Sequence, residues 1–266
     1  ALRAELDVEP SPTAQALYRE IQAGGFQPKP AALPAQPPAT ANAGNLPARM
    51  TSFIGRQREI AELHVSLSRH RLTTLLGPAG SGKTRLAIEA AAGERGNFPD
   101  GVWLVELASL ADAALIPASI NSALGIPEVR GQPAIETLVA QLRSARALLV
   151  LDNCEHLIDG CAAIARKLLG DCPGLRVLAT SRQSLRVPGE ALYQVPPLSA
   201  PGPDEVTASG EQLRRYEAVQ LFIDRARLVQ QGFAPDASEF RAIATICRRL
   251  DGIPLAIELA AARVNV

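Results

Sequence analysis

The sequence has 266 residues, enough for one large domain or two modest ones with a buried core. Apolar residues make up 47% and aromatic residues only 4%, so Leu, Val, Ile and Ala must supply most of the core. Lys+Arg and Asp+Glu number 27 each, and this zero balance gives no electrostatic reason for the segment to bind DNA or an anionic membrane by itself.

The amino-terminal quarter of the chain differs in composition from the rest. Residues 1–25 hold a Pro-containing turn and a short helical pattern with Leu17 and Ile21 on one face. Residues 26–47 are rich in Pro and Ala, which favour extended backbone and remove amide donors, so we predict a mobile linker. The chain begins at Ala1 and ends within an apolar helical pattern, and we interpret it as a piece of a longer protein.

Residues 48–200 alternate short apolar runs with helical patterns. The runs that predict strands are 72–76, 102–107, 147–152, 175–180 and 191–195. Because these runs are almost entirely apolar, they indicate a parallel sheet covered by helices on both faces. After the Pro-rich break at 196–203, only helical patterns remain: one over 213–226, one over 240–250 and one from Pro254. Residues 201–266 therefore predict a small helical lid subdomain beside an α/β domain.

The first apolar run leads into a phosphate-binding motif. Residues Gly77-Pro78-Ala79-Gly80-Ser81-Gly82-Lys83-Thr84 fit GxxxxGK(S/T), with a strand before them and a helix after them. The glycines let backbone amides converge on phosphate oxygens, and the helix start adds unpaired amides and a positive dipole end. We expect Lys83 to bridge the β- and γ-phosphates and the Thr84 hydroxyl to bind Mg²⁺. The alternative, a Gly-rich turn with an incidental lysine, rarely has this strand and helix on its flanks.

A carboxylate stands at the end of the third predicted strand. Asp152 is placed to hold the hydration shell of Mg²⁺ beside Thr84, a Walker-B pattern. The alternative is that Asp152 caps the next helix. Many P-loop ATPases carry a second acid directly afterwards, but here Asn153 takes that place, so fast hydrolysis is doubtful. Glu155 is either a substitute catalytic acid or a solvated residue at a helix start.

The fourth predicted strand ends in Thr180-Ser181-Arg182. Ligands of parallel sheets bind at the carboxyl ends of the strands, so Arg182 is placed to sense a γ-phosphate through a charge-assisted hydrogen bond. The alternative is a surface arginine in a loop, as nearby Arg186 also suggests.

The four cysteines, Cys154, Cys161, Cys172 and Cys247, contain no CxxC pair, and nothing resembles a signal peptide or a membrane span. We expect reduced, partly buried thiols in a cytoplasmic protein. The alternative is a metal site that combines the first three cysteines with His156, although their spacing is irregular.

Taken in order, these motifs resemble the NB-ARC-like branch of the STAND signalling ATPases, from about Pro47 to Val266. The motifs that carry the resemblance are Phe53-Ile54-Gly55-Arg56, the P-loop, LVLDNCEHL at 149–157, LATSR at 178–182 and LDGIPLAIE at 250–258. The resemblance implies a P-loop NTPase sheet of strand order 5-1-4-3-2. It also implies that Ile54, Gly55 and Arg56 lie near the adenine and the sugar and that Pro254 meets the base. The alternative for Pro254 is ordinary helix punctuation after Gly252.

Residues 2–24 resemble the end of the bacterial transcriptional activator domain in SARP-type regulators. This resemblance implies a DNA-binding domain outside the segment. Together the two resemblances imply an ATP/ADP-binding switch with weak Mg²⁺-dependent hydrolysis, nucleotide-controlled opening, homo-oligomers in the ATP state and no membrane partner. The alternatives are a catalytic ATPase motor, a module fused to a cyclase or another effector, and a scaffold with a vestigial P-loop.

The residues predicted to act in this switch fall into three groups. The catalytic group comprises Lys83, Asp152, Glu155 and Arg182, and the metal group comprises Thr84 and Asp152. The nucleotide-binding group comprises Ile54, Gly55, Arg56, the P-loop residues Gly77, Pro78, Ala79, Gly80, Ser81, Gly82, Lys83 and Thr84, and also Arg85, Arg182 and Pro254.

Overall fold

A computed structural model describes residues 43–48, 50–206 and 208–264. The helical pattern predicted within residues 1–25 and residues 26–42 of the linker predicted over 26–47 lie outside the described residues. The described residues begin with an extended segment, continue through five strands and their helices, and end in four helices without strands.

The five strands form one all-parallel sheet. They are β1 (Leu72–Leu76), β2 (Val102–Glu106), β3 (Leu148–Asp152), β4 (Arg176–Ser181) and β5 (Glu190–Gln194), each within one residue of its predicted bounds. The order β2-β3-β4-β1-β5 confirms the predicted order. Because β1 lies beside β4 and β4 beside β3, the loops that follow these three strands open at the same edge of the sheet.

Helices cover both faces of the sheet. One face carries α1 (Gln57–Arg69) and α2 (Lys83–Gly93). The other carries α3 (Ile116–Leu124), α4 (Ala134–Leu142) and α5 (Ile158–Asp171). Successive side chains of a strand point to opposite faces, so Leu149 and Leu151 of β3 pack against α3–α5, while Leu148 and Val150 pack against α1 and α2. Because these strands are buried on both faces, the apolar runs in the sequence are almost unbroken.

The last residues of the predicted linker lie along the outer edge of β2. The Ala43 carbonyl accepts from the Val102 amide (3.1 Å), and the Asn45 side chain both donates to the Leu104 carbonyl (2.8 Å) and accepts from its amide (2.6 Å). The prediction of a mobile linker was therefore wrong for the described residues 43–47. An Asn side chain carries both an NH₂ donor group and an acceptor oxygen, and here it replaces the hydrogen bonds of a neighbouring strand.

The helical part comprises α6 (Gly210–Leu213), α7 (Glu217–Val229), α8 (Ala237–Arg249) and α9 (Pro254–Ala261). Their apolar faces enclose a core of their own, to which Leu198 also contributes. The sequence pattern predicted one helix across 213–226, whereas the chain breaks at 214–216. At the start of α7 after this break, the Ser199 hydroxyl accepts from the Glu217 amide (3.0 Å) and satisfies one of the free N–H groups of the helix. The domain boundary placed at residue 200 stays a prediction.

Gly252 is a position in the helical part where we expect any residue larger than glycine to destabilise the fold. It has a φ of 66°, and its carbonyl accepts from the Leu198 amide (2.9 Å). A Cβ at this position would stand 2.1 Å from the Leu198 carbonyl oxygen. Gly252→Ala should therefore lower the free energy of unfolding by more than about 1 kcal/mol, measured by urea denaturation.

The matched control for Gly252→Ala is Gly170→Ala. Gly170 lies in α5, where an added Cβ meets no atom within 4 Å. Helical Gly→Ala changes stabilise by roughly 0.5–1 kcal/mol, so this variant should be at least as stable as the parent chain. Equal stability of the two variants would contradict the packing described for Gly252.

All four cysteines are buried as free thiols. Burial raises the pKa of Cys247 to about 12, so this thiol stays protonated at neutral pH. Within residues 43–48, 50–206 and 208–264, no group of three or more His, Cys, Asp or Glu side chains is placed to hold a metal ion. In the same ranges, no helix is long and apolar enough to cross a membrane.

Candidate functional site

The loop between β1 and α2 has the backbone conformation that its glycines permit. Gly80 and Gly82 have φ values of 76° and 83°, in the left-handed region that favours glycine. α2 begins directly afterwards at Lys83, so the loop and the unpaired amides at the helix start face the same space. Such an arrangement attracts anions through oriented N–H groups and the helix dipole.

Lys83 lies folded onto this loop. Its Nζ donates to the carbonyls of Gly77 (2.9 Å) and Pro78 (3.1 Å), and the residue is only 9% exposed. Desolvation lowers the pKa of Lys83, while the carboxylates of Glu155 and Asp152 act in the opposite direction. The site therefore contains a partly desolvated ammonium group held by two neutral acceptors, and an anion can replace these acceptors with gain in Coulomb energy.

Asp152 is the acceptor of a small hydroxyl network. The hydroxyls of Thr84 (2.7 Å) and Thr180 (2.6 Å) both donate to its Oδ1, and the Asn153 amide donates to the Thr180 hydroxyl (2.9 Å). The carboxylate of β3 is thereby fixed next to the first turn of α2. A carboxylate beside a hydroxyl is an oxygen donor set that fits Mg²⁺. Thr180 was not predicted as a site residue, although it precedes Arg182 by two positions in the motif.

Arg182 and Glu155 form an ion pair at the ends of β4 and β3. Arg182 Nε lies 3.2 Å from Glu155 Oε1, while Glu155 Oε2 is buried without a hydrogen-bond partner among the described residues. Asn153 has a left-handed φ of 63°, and the chain then forms a 3-10 turn that carries Glu155. Asn tolerates this conformation better than most residues, which gives its presence after Asp152 a structural reason.

Arg56 joins the loop to two other segments. It is 3% exposed, and its Nη2 donates to the carbonyls of Ser81 (2.7 Å) and Pro196 (3.1 Å). Its backbone amide donates to Glu217 Oε1 (2.6 Å). Burial lowers the pKa of the guanidinium against the opposing effect of Glu59 and Glu217. The side chain thus contacts the P-loop backbone, and its predicted closeness to the base and sugar stays a prediction.

The start of α9 lies against the P-loop. The Leu255 amide donates to the Gly80 carbonyl (3.2 Å), and a Cβ placed on Gly80 would stand 2.9 Å from the Leu255 Cβ. Pro254 lies beside Gly82, with its Cγ 3.6 Å from the position of an added Cβ. The helical part therefore approaches the loop so closely that only glycine fits at position 80.

These groups surround one cavity of about 310 Å³. The predicted residues that line it are Ile54, Arg56, Ala79, Gly80, Gly82, Lys83, Thr84, Arg85, Glu155, Arg182 and Pro254. The predicted residues outside its lining are Gly55, Gly77, Pro78, Ser81 and Asp152. The lining residues that were not predicted as site residues are Phe53, Asn153, Leu198, Leu221, Arg225, Leu255 and Glu258. The lining of the cavity thus includes the charged residues Lys83 and Arg182 as well as the apolar residues Ile54, Leu198 and Leu221.

Comparison with known proteins identifies the central part of the chain. Residues 65–186 match the model of an AAA domain. The chain is 44% identical over 199 residues, or 75% of its length, to a Mycobacterium tuberculosis protein whose name describes an HTH-type transcriptional regulator. It is 31% identical to the regulatory protein AfsR of Streptomyces griseus over an alignment covering 99% of this chain. It is also 45% identical, over 81% of its length, to an uncharacterized Mycobacterium tuberculosis protein.

The chain is short compared with these relatives. It spans 51% of the uncharacterized protein, 21% of the HTH-type regulator and 26% of AfsR. Among solved structures, a Walker-type ATPase of Pyrococcus abyssi matches with a TM-score of 0.51 at 16% identity, covering 84% of this chain and 72% of that chain. At this identity the likeness shows the P-loop NTPase fold alone.

Proposed function

Since this chain carries a P-loop ATPase domain of the AAA type and is related to bacterial transcriptional regulators, we propose that it binds ATP and ADP and acts as a nucleotide-operated switch. The observation that supports this proposal most is the cavity that Lys83, Arg182 and Pro254 line together. Lys83 starts α2, Arg182 follows β4 and Pro254 belongs to the helical part, so a ligand that fills the cavity contacts both the α/β part and the helical part.

The residues present fit a magnesium nucleotide. The Gly80–Gly82 backbone, the start of α2 and Lys83 would hold the phosphates, and Thr84 with Asp152 would hold Mg²⁺. Bound Mg²⁺ would neutralise phosphate charge. The apolar lining by Ile54, Leu198 and Leu221 supports an end for the base, and adenine is the base that the family resemblance favours.

Arg182 supplies the proposed discrimination between ATP and ADP. Its guanidinium pairs with Glu155. A γ-phosphate offers a stronger anion at the same end of the cavity, so Arg182 would exchange Glu155 for phosphate oxygens only in the ATP state. A conformational switch needs a contact of this kind, because a ligand shifts an equilibrium only through its different affinities for the two states.

Hydrolysis is proposed to be slow. The position directly after Asp152 is occupied by Asn153, whose amide cannot accept a proton as a carboxylate would. The competing motor function requires efficient turnover, so a steady-state kcat well above about 1 s⁻¹ would favour it.

The proposal has three further parts, each of which stays a prediction. They are DNA binding through a domain outside this segment, oligomerisation in the ATP state and a cytoplasmic location.

Arg182→Ala tests the switch. We expect the variant to bind ADP within about twofold of the parent chain but to lose roughly tenfold in ATP affinity, because one charge-assisted hydrogen bond to the γ-phosphate is missing. Calorimetric titration with each nucleotide in excess Mg²⁺ gives both affinities. Arg166→Ala, which removes an exposed arginine of α5, is the matched control and should change neither value. An unchanged ATP/ADP affinity ratio in Arg182→Ala would reject the sensor role.

A further inference from the structure

Two arginines and two oxygen acceptors form a closed ring at the edge of the cavity. Arg85 follows Thr84 in α2, and Arg225 lies in α7. Glu258 Oε1 accepts from Arg85 Nη1 (3.2 Å) and from Arg225 Nε (2.9 Å). The Ser52 carbonyl accepts from the Nη2 atoms of both arginines, at 3.1 Å each. The ring therefore connects the helix after the P-loop, the segment before α1 and two helices of the helical part.

Among the described residues, Glu258 is the acidic side chain that contacts the guanidinium groups of both Arg85 and Arg225. Asp224 also pairs with Arg225 and accepts from the Ser52 hydroxyl (2.7 Å), but no contact joins it to Arg85. The Arg225 side chain is only 9% exposed, and that of Glu258 is 30% exposed. Because partial burial strengthens such contacts, the interaction should exceed that of an exposed surface ion pair.

Glu258 lies in α9, so its contacts with Arg85 and Arg225 affect the helix whose first turn contacts the P-loop. Glu258 follows Pro254 by four residues, so the two side chains lie on the same face of the helix. The Leu255 amide of the same turn bonds to the Gly80 carbonyl of the P-loop. α9 is thus held to the P-loop by one neutral hydrogen bond and to α2 by one ion pair.

We propose that Glu258 is a positioning residue whose bridge between Arg85 and Arg225, here called the Glu258 bridge, holds α9 against the P-loop and sets how long a bound nucleotide stays in the cavity. The second half of this statement rests on the proposed nucleotide-binding function. In this proposal Arg85 acts through Glu258, because its guanidinium is bonded to Thr51, Ser52 and Glu258, while direct nucleotide binding by Arg85 stays a prediction.

The first measurement uses the nucleotide-free chain and follows hydrogen exchange in the segment 253–258, which contains the Leu255 amide. Glu258→Gln removes the charge and keeps the shape of the side chain, and Glu258→Ala removes the acceptor as well. We expect exchange in this segment to accelerate about tenfold, as for the loss of a hydrogen bond to a charged group, while β3 exchanges as before. Glu205→Gln is the control, because Glu205 forms an exposed ion pair with Arg215 inside the helical part.

The second measurement is the dissociation rate of a fluorescent ADP analogue, followed by stopped flow after addition of excess ADP. Glu258→Gln should release the analogue about tenfold faster, and Glu205→Gln should match the parent chain. Arg85→Gln breaks the bridge from its other side and should behave like Glu258→Gln. If the Glu258 variants do not fold, Arg85→Gln still tests whether the bridge sets the dissociation rate.

The outcomes separate the two proposals. Unchanged exchange and unchanged dissociation in the Glu258 and Arg85 variants would overturn the Glu258 bridge and leave nucleotide binding intact. Faster exchange with unchanged dissociation would overturn its effect on nucleotide lifetime. Failure of the parent chain to bind the analogue would overturn the proposed function, while the exchange measurement would still decide whether the bridge holds α9 in place.

Discussion

Lys83→Ala is expected to weaken the binding of ATP and ADP by at least about 100-fold, because hydrogen bonds between charged groups contribute about 1.5–3 kcal/mol each and Lys83 would make more than one with phosphate. Its Nζ lies among loop carbonyls and within the influence of Glu155 and Asp152, in the wall of the cavity. The measurement is a calorimetric titration of the parent chain and the variant with each nucleotide in the presence of Mg²⁺.

The same substitution should leave the fold intact. Burial lowers the pKa of Lys83, so the charged form of this side chain is disfavoured in the folded chain at pH values below the ordinary pKa of lysine, which include neutral pH. Thermal unfolding should therefore show a variant at least as stable as the parent chain. Lys167→Ala, which removes an exposed lysine paired with Asp171, should bind nucleotide like the parent. Unchanged affinity in a folded Lys83→Ala chain would refute the P-loop assignment.

Asp152→Asn should abolish the increase in nucleotide affinity that Mg²⁺ provides. The amide keeps an acceptor for the hydroxyls of Thr84 and Thr180 but removes the negative charge beside the proposed metal position. Changes of this kind around a metal typically cost 10–100-fold in metal affinity, and we expect a loss in that range. Titration with ADP in the presence of Mg²⁺ and then of a chelator gives the increase for each chain.

The control for Asp152→Asn is Asp171→Asn, because Asp171 lies at the end of α5, outside the lining of the cavity, and pairs with Lys167. This variant should keep the full response to Mg²⁺. If Asp152→Asn retained the response as well, Asp152 would be a structural acceptor for the two threonine hydroxyls and no part of a metal site.

The sequence alone was sufficient where local pattern decides the structure. The apolar runs located all five strands within one residue, because a strand buried on both faces leaves an almost continuous apolar stretch. The P-loop was also recognisable from the sequence, because its glycines, Lys83 and Thr84 are adjacent in the chain and lie between a predicted strand and a predicted helix. The family resemblance supplied the strand order, which the apolar runs by themselves do not encode.

The sequence was insufficient where contacts join distant segments. Glu258 belongs to the motif at 250–258, but that motif does not show that Glu258 contacts both Arg225 and Arg85, the latter 173 positions away. Thr180 lies in a recognised motif, but its contact with Asp152 depends on the adjacency of β3 and β4. Asn45 lies in a Pro-rich stretch, and no local pattern shows that its side-chain amide forms hydrogen bonds with the backbone of Leu104. Each of these contacts follows from tertiary structure.

We propose that the cavity between the P-loop and α9 binds one adenine nucleotide. A calorimetric titration of the parent chain with ADP in Mg²⁺, repeated after saturation with ATP, measures this binding. We expect saturable binding of one ADP per chain, and we expect prior ATP to remove this heat by competition for the same cavity. A folded chain that shows no saturable heat with either nucleotide, or that binds both at once, would contradict it.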